Sequence, residues 1–225
     1  MDVVCATFSI VGRDGAGDFG VAVATARPAV GALVPHVCLR GAIATQSFVN
    51  IELGLRGIEA VARGAPVDRA LADLLAEDPR PELRQVHGLD AGGRVFAHTG
   101  DGCVVWAGHR QARDVSVAGN MLVGEETVAA MAAGFEATAG SGLELADRLL
   151  RALEAGQAAG GDQRGKQSAA LLVASPAPRF HHNLRVDDHA DPVRELRRIF
   201  DLVRADDAER RERYAEYRVT ARSKW

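Results

Sequence analysis

The stretch ATFSIVGRDGAGDFGVAVATA, residues 6–26, decides the fold. Its two ends, residues 6–12 and 20–26, alternate between apolar and small polar residues or are almost continuously apolar, which is typical of β-strands. The segment between them, Arg13 to Asp18, is rich in Gly and Asp and has the composition of a turn. The sequence therefore predicts that the chain opens with a β-hairpin.

One face of the first predicted strand carries three nucleophile-type side chains. Because side chains alternate across a strand, Cys5, Thr7 and Ser9 share a face. Such a row is unusual for a strand that only fills a core. A hydroxyl or thiol near the start of a chain, on a strand backed by a second strand, is the arrangement that amidohydrolases with an amino-terminal nucleophile use.

Composition is that of a globular protein with one domain. The chain has 225 residues, of which 47% are hydrophobic, 25% charged and 5% aromatic, so we expect a large aliphatic core. A net charge of −3 gives no general attraction to nucleic acid or to an anionic membrane. No apolar run approaches the ~20 residues of a membrane span, and early acidic residues argue against a signal peptide.

Cysteine usage indicates a reducing compartment. The three cysteines, Cys5, Cys38 and Cys103, are odd in number and widely spaced, which predicts free thiols and a cytoplasmic location. No nucleotide-binding pattern stands between a strand and a helix, so we expect no cofactor.

Further along the chain, the patterns predict strands that alternate with pairs of helices. Helices are expected at 52–63 and 66–78, and again at 125–137 and 142–155. Strands are expected before, between and after the pairs, one of them at 103–108. Asp191-Pro192 begins a last helix. This order predicts an α+β fold in which two mostly antiparallel sheets lie between helical layers.

The end of the last helix differs in composition from the rest. From Arg204 the residues are almost all charged, with opposite charges four residues apart, as in a solvated helix. We therefore divide the chain into a single domain, residues 1–203, and a charged C-terminal helical extension, residues 204–225. The charged helix and the apolar helix faces together predict a homo-oligomer.

Seven motifs resemble a bacterial and archaeal family, the domain of unknown function 1028, over about Thr7 to Leu202. They are TFSIVGRD (7–14), GVAVATARPAVGALVP (20–35), GAIATQ (41–46), DAGGRVFAHTG (90–100), GNMLVG (119–124), GGDQRGKQSAALLV (160–173) and LRVDDHADPVREL (184–196). The resemblance implies an amino-terminal-nucleophile hydrolase fold, a four-layer αββα sandwich. It also implies hydrolysis of a small amide or peptide-like bond.

In that fold a terminal Thr, Ser or Cys attacks an amide carbonyl while its own α-amino group takes the proton. A free α-amine has a pKa near ~8, close to working pH, which suits this role. The resemblance implies that Thr7 is the latent nucleophile. Because an acidic second residue, Asp2, keeps the initiator Met1 in place, Thr7 becomes terminal only if the Ala6–Thr7 bond is cleaved.

A different interpretation of Thr7 stays open. Thr is common in strands because of its β-propensity, and a relative that is never processed would be a non-catalytic ligand-binding or scaffold protein with the same fold. Cys5 is a weaker candidate nucleophile, since no motif position supports it.

The candidate substrate pocket draws on four parts of the chain. Arg and Lys side chains on a glycine-flanked loop hold carboxylates or phosphates well, whereas the alternative is a network that only ties the loop down. Asn120 follows Gly119 at a strand end, where an amide serves as an oxyanion donor or a substrate clamp. Asn is also common at turns, and this structural interpretation is favoured. The predicted pocket residues are Arg27, Thr45, Gln46, Asn120, Asp162, Arg164, Gln167 and Ser168, with Lys166 on the same loop.

A metal-dependent hydrolase is the third hypothesis. Asp187, Asp188 and His189, with His181 and His182 nearby, are ligand types that zinc accepts. Neighbouring residues on a strand point to opposite faces, however, so a hydrogen-bonded network at the entry of the last helix explains them better. We therefore predict no metal ligand here.

Overall fold

The computed structural model of the chain describes residues 3–5 and 7–213. It is a mixed α+β protein with two antiparallel sheets and five α-helices in the described residues. The strands are β1 (Val3–Cys5), β2 (Thr7–Arg13), β3 (Phe19–Thr25), β4 (Pro35–Cys38), β5 (Gly41–Val49), β6 (Arg84–Asp90), β7 (Val95–Thr99), β8 (Gly108–Ala112), β9 (Val115–Asn120), β10 (Ser168–Ala174) and β11 (Asn183–Val186). The helices are α1 (Ile51–Ala62), α2 (Val67–Glu77), α3 (Glu126–Glu136), α4 (Leu145–Ala158) and α5 (Pro192–Arg213).

The predicted opening hairpin is confirmed. β2 and β3 pair antiparallel from Thr7↔Thr25 to Arg13↔Phe19, and Asp14 Oδ1 accepts the backbone N–H groups of Ala16 and Asp18 in the turn. This hairpin forms the centre of the second sheet, whose order is β11-β10-β3-β2-β9-β8. The first sheet has the order β1-β5-β6-β7, with β4 also paired to β5.

Alternation along the strands divides the core into three clusters. One face of the second sheet, with Phe8 and Ile10, packs on α3 and α4. The opposite face meets the first sheet through an aliphatic cluster that includes Val11. The outer face of the first sheet packs on α1 and α2 through residues such as Ile43. Every strand of the hairpin is therefore buried on both faces.

Close packing in the second sheet depends on glycine. A Cβ atom built on Gly20 would lie 2.6 Å from Leu149 Cδ1 and 2.9 Å from Val173 Cγ2, so no larger residue fits there without displacing α4. Glycine at this position lets the helix lie directly on the hairpin.

The region after β7 differs from the prediction. A strand expected at 103–108 is absent; the chain turns there, and β8 begins at Gly108. Gly100 and Gly102 explain the turn, because a Cβ on Gly100 would lie 2.2 Å from the carbonyl oxygen of Glu82. The backbone can approach so closely only without a side chain.

The last helix runs without interruption from Pro192 to Arg213, so it passes through the predicted boundary at residue 203. Of the predicted C-terminal extension, residues 214–225 lie outside the described part of the chain. In the helices that the structure describes, none is both long and apolar enough to cross a membrane.

Candidate functional site

Four polar side chains form a row across the end of the second sheet. Strand register places Thr7 opposite both Asn120 and Thr25, and places Thr25 opposite Ser168. All four residues are at most 1% exposed. Thr7 lies on the same face of β2 as Ser9 and Val11, which is the face that meets the first sheet. Residues opposite one another in the register share a face, so all four side chains lie there. Thr7 therefore lies between the two sheets, at the first residue of β2.

A buried network of hydrogen bonds crosses between the sheets beside this row. Its fixed point is Gln85 on β6, whose Nε2 donates to the carbonyl oxygen of Gly119 (2.9 Å) and lies 3.2 Å from that of Gly108. A backbone carbonyl only accepts hydrogen bonds, so this contact fixes which end of the Gln85 amide is nitrogen. Gln85 Oε1 consequently faces Gln46 and Asn120 and accepts from both.

The orientation of every further member follows from Gln85. Gln46 donates from Nε2 to Gln85 Oε1 (2.8 Å), so its own Oε1 accepts the Ser9 hydroxyl (2.6 Å). Since the Ser9 proton is used there, the contact between Ser9 Oγ and His87 Nε2 (2.8 Å) has His87 as the donor. His87 Nδ1 then accepts from Ser116 Oγ at 3.0 Å.

This arrangement decides the chemistry of the Ser9–His87 pair. Burial, and secondarily the nearby charge of His109, lowers the pKa of His87 to about 3, so the ring is neutral. A neutral His that donates to Ser9 does not take the hydroxyl proton. Ser9 and His87 therefore support the site and are not a nucleophile and its base.

Asn120 is the member of the network that faces Thr7 in the register. Its Nδ2 donates to Gln85 Oε1 at 2.9 Å, which fixes the amide orientation. Its Oδ1 is buried and has no hydrogen-bond partner among the described residues. Such an atom normally costs free energy in a folded protein, so an unused acceptor next to Thr7 is a functional signal.

The predicted loop residues Asp162 and Arg164 bind each other. Buried Asp162 accepts the Ala26 N–H on Oδ2 (2.9 Å) and the Arg164 N–H on Oδ1 (2.9 Å), and the Arg164 guanidinium donates to both carboxylate oxygens at 2.9 and 3.1 Å. The pair holds the loop across the ends of β3 and β9. These contacts are those of a network that ties the loop down.

Gln167 and Ser168 continue the loop onto the row. The Gln167 N–H donates to Thr25 O (2.9 Å), and its side chain donates to Asp188 Oδ1 (3.2 Å). Ser168 Oγ donates to Arg27 O at 2.5 Å and accepts the Val30 N–H. The backbone of Arg27 is thus anchored at the site, while its side chain is exposed.

Thr45 and Gln46 separate, as neighbours on a strand must. Gln46 enters the network between the sheets, whereas Thr45 Oγ1 donates to the carbonyl oxygen of Asn50 at the start of α1. Of the predicted pocket residues, Asn120 lies opposite Thr7, Ser168 lies two strands away in the same row, and Gln46 lies in the network that reaches Ser9. The Asp162 loop lies across the strand ends, and Thr45 lies on the opposite face of β5.

Sequence reasoning missed Gln85, His87, Ser116 and Thr25. The signal was present in β6, where RQVHGLD carries polar residues at 85 and 87 on one face of a buried strand. A buried polar face in the middle of a protein needs partners, and these identify the other members.

The side chains of Asp187, Asp188 and His189 each contact a different partner and do not meet at one point. Asp187 accepts from Arg185, Asp188 from Gln167, and His189 Nδ1 from the Asp191 N–H. The nearby histidines instead meet Glu144, whose Oε2 lies 3.0 Å from His181 Nε2 and 4.0 Å from His182 Nε2. Hydrogen bonds from these two rings hold the pKa of Glu144 well below its usual range.

The Glu144 cluster has donor types that a zinc ion accepts, but its proton arrangement does not fit one. His182 Nδ1 accepts the Arg179 N–H at 3.3 Å, so the ring proton lies on Nε2, the atom that would bind the metal. Arg204 also lies 4.0 Å from Glu144 Oε1 and competes for the carboxylate. We interpret the cluster as a set of hydrogen-bond donors around the Glu144 carboxylate.

Strand β1 lies on the first sheet, immediately before the site. It pairs antiparallel with β5 in the register Val3↔Val49, Val4↔Phe48 and Cys5↔Ser47. The side chain of Cys5, and residue Ala6 with the predicted Ala6–Thr7 cleavage point, lie outside what the structure describes. The chain therefore leaves the first sheet at Cys5 and begins the second at Thr7.

Comparison with known proteins identifies the family. Residues 7–196 match the family described as "Family of unknown function (DUF1028)". The fold is similar to the crystal structure of protein SPO2555 from Silicibacter pomeroyi, also assigned to DUF1028, with a TM-score of 0.78 and 30% identity over 87% of this chain and 88% of that one. No curated protein matches the sequence. The chain therefore belongs to the DUF1028 family.

Proposed function

We propose that this protein is an amide hydrolase of the amino-terminal-nucleophile type, with a four-layer αββα sandwich and Thr7 as its latent nucleophile. The observation that carries the proposal is the position of Thr7, which begins β2 in the buried polar row beside the unpartnered Oδ1 of Asn120. The family match also begins at Thr7, which leaves residues 1–6 outside it.

Activation requires that the peptide bond before Thr7 be broken. In an N-to-O acyl shift, Thr7 Oγ attacks the Ala6 carbonyl carbon, the C–N bond breaks, and the Oγ proton ends on the released α-amino group. Water then hydrolyses the ester, which yields a carboxylate on residues 1–6 and restores the Thr7 hydroxyl. A host protease that hydrolyses the same bond gives the same product.

The free terminus then performs the reaction on a substrate. The α-amino group takes the Oγ proton, and Oγ attacks the amide carbonyl to give a tetrahedral oxyanion. When this intermediate collapses, the leaving amine receives the proton, and water hydrolyses the acyl-Thr7 ester. Burial between the sheets strengthens each electrostatic contact. In this proposal the unpartnered Oδ1 of Asn120 accepts a hydrogen bond from the substrate N–H and so orients it.

A second candidate is a non-catalytic ligand-binding protein. The observation in its favour is that Thr7 is covalently preceded by other residues, so its nitrogen is an amide and is no base. In that case the row between the sheets is a polar core only.

The deciding experiment compares three chains: the intact protein, a variant that lacks residues 2–6 so that Met1 precedes Thr7, and the same deletion with Thr7→Ala. Aminopeptidase removes Met before a small residue such as Thr, which intact mass checks. A peptide β-lactone, which acylates nucleophilic hydroxyls, should label only the chain that begins at Thr7. A folded Thr7-initiated chain that stays unlabelled contradicts the hydrolase and favours the binding protein.

Cellular context follows from the same proposal. We place the protein in the cytoplasm because Cys38 and Cys103 are free thiols. We also expect a homo-oligomer, in which a second copy covers exposed apolar side chains such as Leu202 on α5 (59% exposed). Light scattering that gives the mass of a monomer would remove this part of the proposal.

A further inference from the structure

We propose that the edge of β5 at Ser47–Val49 is a binding site for an extended peptide-like chain, and that β1 occupies it in the intact protein. The site deepens the proposed function, on which its catalytic role rests, by naming a peptide-like acyl group as the part of the substrate held there. Binding itself does not depend on Thr7 chemistry.

Strand β5 has a partner strand on each side, and only β1 covers one side of residues 47–49. One edge of β5 is covered by β6 over residues 41–47. The other is covered by β4 over residues 41–44, and beyond β4 by β1 over residues 47–49. Without β1, this part of β5 is an open strand edge, which is a template for pairing with another extended chain.

Ser47 marks the edge as a strained, polar position. It has φ of 72°, in the left-handed region that few residues other than glycine adopt, although it lies within a strand opposite Cys5. Its buried hydroxyl has no nitrogen or oxygen partner among the described residues and lies beside the Cys103 thiol. The hydroxyl hydrogen-bonds with that thiol, so the feature of Ser47 that is typical of ligand sites is its backbone strain.

A buried ion pair holds the backbone at the same point. Arg84 donates from Nη1 to the carbonyl oxygen of Phe48 (2.7 Å) and from Nε to Asp78 Oδ2 (3.0 Å), and Asn50 donates to the same Asp78 oxygen. The Arg84 and Asp78 side chains are 5% and 0% exposed. The edge is therefore supported from behind by a rigid group rather than by a loop.

Chain geometry connects the edge to the nucleophile. Cys5 and Thr7 are two residues apart, so their Cα atoms are separated by no more than about 7.5 Å. A ligand that pairs with β5 in the position and direction of β1 consequently reaches to within one residue of Thr7 at its carboxyl-terminal end. β1 thus has the place of an acyl group before hydrolysis.

The test uses the full chain with β1 released. In an antiparallel ladder the hydrogen-bonded positions alternate, so Val3→Pro/Val4→Pro removes at least one ladder donor in either register. Val3→Ala/Val4→Ala keeps both donors and is the matched control. The probe is a fluorescent acetyl-Val-Val-Ser-Ala-amide, whose binding is followed by anisotropy.

We expect the proline variant to bind the probe at least tenfold more tightly than the intact protein, with the alanine variant in between or like the intact protein. N-methylation of the probe's backbone nitrogens should reduce binding at least tenfold, because pairing requires N–H donors. Equal binding by intact and proline chains, or by methylated and parent probes, overturns the proposal. If the proline variant does not fold, Val4→Asp, with protection of the Phe48 and Val49 amides from hydrogen exchange as readout, replaces it.

Failure here is distinguishable from failure of the proposed function. Probe binding should persist when Thr7→Ala is added to the proline variant, since the nucleophile is not part of the edge. Probe binding without β-lactone labelling of Thr7-initiated protein keeps the peptide site and removes the hydrolase. Labelling without selective probe binding keeps the hydrolase and removes the peptide site.

Discussion

His87 Nε2 lies 2.8 Å from Ser9 Oγ, and the hydrogen between them belongs to the histidine. The pair has the spacing of a serine nucleophile and its base, but the Gln85 and Gln46 amides fix the opposite proton direction. Distance alone would therefore identify Ser9 as a nucleophile with His87 as its base. The hydrogen bonds of the Gln85 and Gln46 amides show instead that His87 donates to Ser9.

Burial of neutral His87 makes the protein sensitive to moderate acid. Its folded pKa of about 3 lies below the ordinary value of 6.5, so the unfolded chain binds the proton more readily. The stabilising contribution is complete above pH 6.5 and is lost as the pH falls towards 3, by roughly 2 to 3 kcal/mol at pH 4.5. Urea unfolding at pH 7 and 4.5 should show this loss in the intact protein but a smaller one in His87→Gln. An equal loss in both would place the acid sensitivity elsewhere.

The buried Arg84–Asp78 pair should be costly to break from one side. Asp78→Asn leaves the Arg84 charge without its partner, with an expected loss of about 3 to 5 kcal/mol in the free energy of unfolding. Glu77→Gln, in the exposed pair with Arg56, should cost less than about 1 kcal/mol. Denaturant titration of both variants provides the comparison, and similar losses would contradict the role of burial.

Asp78 also has a defined pH response. Burial raises its pKa, but hydrogen bonds from Arg84 and Asn50 outweigh this and leave the pKa below the ordinary value. The contribution to stability is therefore present above the unfolded pKa and is lost as the pH falls through the folded one. In Asp78→Asn, the corresponding part of the acid dependence should disappear.

Asn120→Ala should separate stability from reactivity. Gln85 Oε1 keeps its bond from Gln46, so the expected loss in the free energy of unfolding is only about 1 kcal/mol. In the Thr7-initiated chain, however, the rate of labelling by the β-lactone should fall by about tenfold, because the substrate loses the hydrogen bond that Asn120 Oδ1 accepts from it. Unchanged labelling of a stable variant would show that Asn120 only fills the core.

Glu144 should make the stability of the protein fall as the pH is lowered through the acid range. Hydrogen bonds from His181 and then His182 depress its pKa, so its stabilising contribution is present above the unfolded value and is lost as the pH falls. Thermal unfolding of Glu144→Gln should accordingly depend less on pH below about 4.3 than that of the intact protein. Adding Zn²⁺ should leave the melting temperature of both proteins unchanged, and a zinc-dependent rise that needs Glu144 would reverse our interpretation of the cluster.

The opening hairpin was predictable because its information is local. Alternation over residues 7–13 and 19–25 and the Gly/Asp turn between them are all that the pairing of β2 with β3 requires. The network between the sheets was not predictable in the same way. Gln46 and Gln85 meet Ser9 and Asn120 only after two sheets have packed in one particular register, and no spacing in the sequence states that register.

The loop at Asp162 illustrates the same limit. Its composition predicted either ligand binding or a network that ties the loop down, and the network became visible only from the positions of the Ala26 N–H and the Arg164 guanidinium. Thr45 was assigned to the pocket together with its neighbour Gln46, although alternation already indicated that only one of them could face it.

The donors that begin at Ser116 pass through His87, Ser9, Gln46 and Gln85 and end on the carbonyl oxygen of Gly119, so the series starts and finishes on β9. On the way it crosses between the sheets more than once, and every link runs in the same direction. A slip of one sheet along the other by a single residue, about 3.4 Å, would break all of these links together. The hydrogen bonds therefore permit only one alignment of the two sheets at the end of the molecule where Thr7 lies. A purely aliphatic interface would tolerate small changes of this alignment.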